Sequence, residues 1–427
     1  MTQIGERECG LNAEMIRRWE TGERRPEPRY KKHLVLVFGV TASELGLLSE
    51  CERALKPDPA AATVIADEQL VDRVAEKVVS ALMGSDGGVS RNLFLKGLLG
   101  ASLAPLLTAG AAVPQDADAL AHEPRTRVDE RAVHAYAATT ASHRALYWNV
   151  PPAQLLSSVV AHVRLGNEIL KSASSVEGGQ AQQLAAAVSE SALLVARIAF
   201  FDLARVDLAE PFFQFAEDTV RVSDDHTLAT AVFAHRAFVP GFAHDEQSAR
   251  GFLKVAHAHA RYGAGPQLRS WLHCVDAEIS ARNGQPKTSL ARIGSAEEAL
   301  VTGGTDPQWL DYFDPSRLAG FAGNALLLAG EHRGAAVRLR QALDGPAGET
   351  GKQRAVMLFD LAAAQAPSDA ELAMATAGQA CDVLSGGYYA TALQRVPIVR
   401  AALGGTRYVD ELDERVRALT SAARENS

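Results

Sequence analysis

From about Asp129 to its end the chain places apolar residues at helical spacing, with turns marked by Gly, Asp or Pro. This pattern predicts helix after helix. It also repeats. The second helix of each predicted pair carries small residues seven apart: Ala209 and Ala216, Ala249 and Ala256, Ser289 and Ala296, Ala335 and Ala342, Ala373 and Ala380. Successive units are offset by 40, 40, 46 and 38 residues. Such periods imply a helical-hairpin solenoid, because small residues at fixed positions let paired helices approach closely.

The start of the chain has a different pattern. Gly10 supplies a left-handed turn and Asn12 an N-cap, after which Met15, Ile16 and Trp19 share one helix face. Ala13, Glu14, Arg17 and Arg18 then point outward. Between Met15 and Leu34 seven basic residues, Arg24 and Arg25 among them, face three acidic ones, a local +4 on a chain of net charge −8. A basic patch of this kind on an acidic protein is the electrostatic footprint of a nucleic-acid-binding module.

Trp19-Glu20, Gly22 and Pro26, with the helices predicted after Tyr30 and after the Thr41/Glu44 capping box, resemble the Cro/repressor-like (XRE-type) helix-turn-helix regulators. The resemblance implies that Gln3 and Asn12 touch phosphate and that Ala13, Glu14 and Arg18 face bases, with Arg17 beside them. The loop residues Arg24 and Arg25 would add phosphate contacts. The first helix of that family would precede Gln3, so the expected domain is truncated at its N-terminus or the true start lies upstream.

The unit Asn324 to Leu343, with Gly330 at its turn, resembles a tetratricopeptide (TPR) repeat. Tyr136 to Ala173, with Trp148-Asn149-Val150-Pro151-Pro152, resembles the opening of the TPR-like sensor domain of actinobacterial helix-turn-helix regulators. The expected organisation is therefore all-α. Residues 1–50 form a helix-turn-helix domain, 51–128 a linker, and 129–427 a TPR-like sensor and dimerisation domain. By resemblance the chain is a cytoplasmic, homodimeric transcriptional regulator that binds double-stranded DNA and answers to a peptide or protein effector. Two other readings stay open: an interaction scaffold with a non-functional DNA-binding remnant, and a membrane-tethered regulator.

Composition agrees with packed helices: 47% of residues are hydrophobic and only 6% aromatic, so the core is rich in Ala, Leu and Val. Cys9, Cys51, Cys274 and Cys381 show no paired spacing, which favours a reducing compartment and buried thiols. In the linker, Ser90-Arg91-Asn92-Leu93-Phe94-Leu95-Lys96 opens an apolar run over 93–113. It resembles a twin-arginine signal, but it is internal, lacks the second Arg and is diluted by Gly, Ala and Ser. A packed helix or loose linker is the better expectation.

No phosphate loop, nucleophile elbow or H-E-x-x-H is present, so neither an enzyme, a cofactor nor a metal site is expected. His257 and His259 would face different directions on a helix, and His235 and His244 are no stronger as ligands.

One polar row remains. Arg197, Arg236, Asp276, Asn324 and Asp360 fall 11 to 13 residues before the small residue that opens each second helix. At one level of a stack of first helices they would form an effector groove able to hydrogen-bond an extended peptide. The alternative is ion pairing within the solenoid, such as Arg236 with Asp276. In an open groove Asn324→Ala would leave stability within about 1 kcal/mol, and in a buried network it would not.

Overall fold

The computed structural model describes residues 130–172, 179–346 and 350–425. The chain divides into two units, Met1–Asp58 and Pro59–Ser427, and every described residue lies in the second. The predicted helix-turn-helix, the linker and the apolar run 93–113 lie outside the described residues.

The described residues form helices and turns, with no strand among them. In chain order these are α1 (Glu130–Leu146), α2 (Pro152–Ser172), α3 (Gly179–Arg197), a π-helical turn (Ile198–Asp202), α4 (Val206–Ser223), α5 (His226–Phe242) and α6 (Glu246–Ala260). There follow α7 (Pro266–Arg282), α8 (Pro286–Leu300), α9 (Pro315–Leu328), α10 (His332–Leu343), α11 (Gly351–Gln365) and α12 (Ala370–Ser385). The chain ends in α13 (Ala390–Leu393), α14 (Val396–Ala402) and α15 (Tyr408–Glu425). Five hairpins pair α3 with α4, α5 with α6, α7 with α8, α9 with α10 and α11 with α12. Each second helix also packs on the next first helix, an arrangement consistent with an all-α solenoid.

Local chemistry starts and stops these helices. Asp225, Asp245, Asp314 and Asp369 each accept a backbone N–H from the first turn of α5, α6, α9 and α12. Pro266, Pro286 and Pro315 open α7, α8 and α9, where the missing N–H costs nothing. Gly284 and Gly330 take φ of +71° and +81° in the turns inside two hairpins, and His244 holds the equivalent left-handed place at +60°.

All ten small residues of the predicted repeat are fully buried in second helices. With no exposed surface at these positions, a larger side chain would have to displace its neighbours. The few aromatics concentrate where α3 loosens into the π turn: Phe200 meets Phe201, Phe213 and Phe242, and Phe201 meets Phe238. Among the described residues one helical stretch, Gly179–Asp202, is long and apolar enough to cross a membrane. It is also mostly buried in the protein, against α1, α2 and α4, which gives its apolarity a packing role. Cys274 and Cys381 are buried free thiols, both pushed up by burial, Cys381 to about 11.

The C-terminal helices do not simply extend the stack. Short α13 returns to the π turn, where Thr391 Oγ1 donates to the Phe201 carbonyl at 2.8 Å, and α14 packs on α11. This return covers surface that the repeat pattern alone would leave open.

Candidate functional site

Arg197, the last residue of α3, lies at the centre of the strongest candidate site. Its guanidinium sits 4.8 Å from the ring centre of Tyr147 and 4.6 Å from that of Tyr312. The residue is 7% exposed, and it makes no hydrogen bond or ion pair with any described residue. A cleft of about 330 Å³, counted to its open mouth, is lined by Arg197 with Thr140, Arg144, Glu190, Trp309 and Tyr312. Leu193, Leu194 and Leu228 supply its apolar wall.

Three elements bring these groups together. Beyond Arg197 the π turn widens the backbone and buries Asp202, which accepts from the Tyr147 hydroxyl at 2.9 Å and pairs with Lys352 Nζ at 2.5 Å. Lys352 also lies 3.6 Å from the Tyr147 ring centre, so α11 is tied to the end of α1. The third element is the loop between α8 and α9. Its Asp306 caps α7 from a distance, accepting the N–H groups of Gln267 and Leu268 at 2.9 Å each. Only a residue without a side chain permits that approach, since a Cβ on Gly265 would fall 2.4 Å from the Thr305 carbonyl oxygen. The same loop delivers Trp309 and Tyr312 to the cleft, and Asp311, which accepts from Arg144 Nε at 2.7 Å.

The electrostatics follow from burial. Glu190 pairs with Arg144, yet burial holds its carboxyl above the usual range. Burial likewise raises Asp202 and lowers Lys352, and their mutual attraction opposes both shifts. His235 is held well below its ordinary value by burial and by the positive charge of Arg197. The neighbouring carboxylates are thus occupied by other cations, and the Arg197 fork has no partner of its own among the described residues.

The five residues of the predicted groove do not form one track. Arg236 pairs with Glu210 at 3.0 Å and with Glu217, both on α4, and lies over Phe252 of α6. Asp276 pairs with Arg292 on α8 at 2.9 Å and with His257 on α6 at 3.3 Å. Both therefore face second helices, and the expected Arg236–Asp276 pair is absent. Asn324 and Asp360 do meet: Asn324 Nδ2 donates to Asp360 Oδ2 at 2.9 Å. They are sealed beneath Arg395, which stands 3.7 Å from Asp360 and donates at 2.8 Å to Glu278, itself held by Arg282. Asn324, Asp360 and Arg395 are 4%, 2% and 4% exposed, so this cluster is a lock between α7, α9, α11 and the returning C-terminal segment.

Gln3, Asn12, Ala13, Glu14, Arg17, Arg18, Arg24 and Arg25, the expected DNA contacts, lie outside the described residues. His257 and His259 have separate partners, Asp276 and the His226 ring, as their spacing implies. Sequence reasoning missed Tyr147, Trp309, Tyr312 and Lys352. Trp309 and Tyr312 had one signal, the unit offset of 46, whose extra residues are the loop between α8 and α9; Tyr147 and Lys352 had none. Searches of protein-family models, curated proteins and solved structures find no match to this chain.

Proposed function

We propose that the chain is a DNA-binding transcriptional regulator of the Cro/repressor-like type, not an enzyme, working as a cytoplasmic homodimer. Its TPR-like unit is the sensor. The observation that carries this reading is the Trp19-Glu20-x-Gly22-x-x-x-Pro26 signature with its local +4 charge, joined in one chain to helical hairpins that build a cleft around an arginine held between two tyrosine rings. Sensing is assigned to the Arg197 cleft. The sealed Asn324–Asp360 pair is structural.

Footprinting tests the DNA assignment. Arg18→Ala should lower specific affinity by about 1–3 kcal/mol and relax preference at one operator position. Arg25→Ala should weaken all sequences alike and flatten the salt dependence. Unchanged footprints from both variants would favour the scaffold reading. Light scattering that gives a monomer at micromolar concentration, with and without operator DNA, would refute the dimer.

A further inference from the structure

We propose that the cleft beside Arg197 binds the carboxylate of a small monocarboxylic acid. This deepens the sensor reading above and rests on it for its regulatory consequence alone. A guanidinium presents a planar fork of N–H donors that matches a carboxylate edge in a bidentate pair. Here that fork is buried and flanked by the rings of Tyr147 and Tyr312, which orient it without using its donors. Glu190 and Asp202, the carboxylates that act on it electrostatically, are already paired with Arg144 and with Lys352. A second observation points the same way. The Tyr312 hydroxyl is buried with no hydrogen-bond partner among the described residues, and Tyr312 lines the same cleft.

The size and lining of the cleft narrow the ligand. Its enclosed part has room for little more than a water-sized group, Leu193, Leu194 and Leu228 form a buried apolar wall, and the half-buried Trp309, Arg144 and Glu190 are the lining residues that keep some surface. That suits a carboxylate head with a short apolar or aromatic tail. A phosphate dianion is disfavoured, because its second charge would find no further cation: Arg144, the other cation lining the cleft, is already paired with Glu190 and Asp311. The carboxylate has two sources, a free organic acid or the C-terminus of a peptide, and the chemistry at Arg197 is the same for both.

The test uses the full chain without DNA, with 3-phenylpropionate, 3-phenylpropionamide and the tripeptide Ala-Ala-Phe as free acid and as amide. Binding is read by calorimetry and by tryptophan emission. The acids should bind saturably at millimolar concentration or below and change the emission, and the amides should not. Trp309→Phe should remove the emission change. Arg197→Gln should weaken binding at least tenfold and Tyr312→Phe severalfold, each checked for folding by circular dichroism. If Arg197→Gln does not fold, Tyr312→Phe and the acid-against-amide contrast decide. Tighter binding of the tripeptide acid than of 3-phenylpropionate assigns the carboxylate to a peptide terminus, and the reverse to a free acid. Equal binding of acid and amide, no binding by either acid, or full binding by a folded Arg197→Gln variant would overturn the proposal. Because DNA is absent from these measurements, loss of operator binding bears on the regulator reading and leaves the ligand site standing.

Discussion

Asn324→Ala isolates the worth of the sealed polar lock. In the native chain Asn324 gives Asp360 a hydrogen bond at 2.9 Å, while the nearest Arg395 nitrogen stands 3.7 Å from the other carboxylate oxygen. Removing the amide leaves Asp360 Oδ2, in a residue 2% exposed, with no donor from this position. A hydrogen bond to a charged group is worth about 1.5–3 kcal/mol, and the small void left by the amide adds to the loss. The expected destabilisation is therefore about 2–3 kcal/mol at neutral pH. Burial already pushes the Asp360 carboxyl above its ordinary value, and losing the Asn324 donor pushes it further. A carboxyl whose folded value is raised binds its proton more tightly in the folded chain, so protonation stabilises the fold. The penalty should be full well above the raised value and shrink as pH falls through it, since a protonated Asp360 has less need of a donor. Urea unfolding of wild type and variant, followed by far-UV circular dichroism at pH 7.5 and pH 5, measures both points. A loss below about 0.5 kcal/mol at pH 7.5, or one that grows in acid, would refute the reasoning. Ligand binding at Arg197 should be intact in the same variant.

Gly265→Ala should destabilise by about 1–3 kcal/mol and disturb the Trp309 environment, because its Cβ meets the Thr305 carbonyl at 2.4 Å; thermal melting by tryptophan emission reads both. Ala296→Leu, in a fully buried repeat position of α8, should cost about 1–3 kcal/mol of unfolding free energy, read by urea titration, and a neutral result would mean the hairpins are looser than described. His162, stacked 3.9 Å from Tyr136, is lowered by burial to about 4 from 6.5. Its folded form resists protonation, so stability should fall by about 1–3 kcal/mol as pH drops from 6.5 toward 4. His162→Gln should reduce that dependence, with His235 and His273, also lowered by burial, keeping their own share, and an unchanged slope would remove His162 as a source.

The sequence by itself determined the helical class and the hairpin register. Small residues seven apart that recur at steps of 38 to 46 residues imply the same helix face repeatedly pressed against a partner, and all ten proved fully buried. Gly330 likewise marked its turn, although His244 adopts the same left-handed conformation with no sequence mark of it. The direction of the polar row was not legible. Counting back across turns of unequal length tolerates an error of one or two residues in height, yet each residue rotates a side chain by about 100°. Arg236 and Asp276 are the eleventh residues of α5 and α7, whereas Asn324 and Asp360 are the tenth of α9 and α11. Arg236 and Asp276 turn toward second helices, and Asn324 and Asp360 toward the sealed lock. Only the tertiary structure decided the rest. Tyr147, Arg197, Tyr312 and Lys352 converge because a long loop and a returning C-terminal segment cover what a regular stack would leave open. Contacts between residues more than 100 positions apart, such as Lys352 with Asp202, leave no periodic trace, so the packed chain alone could show them.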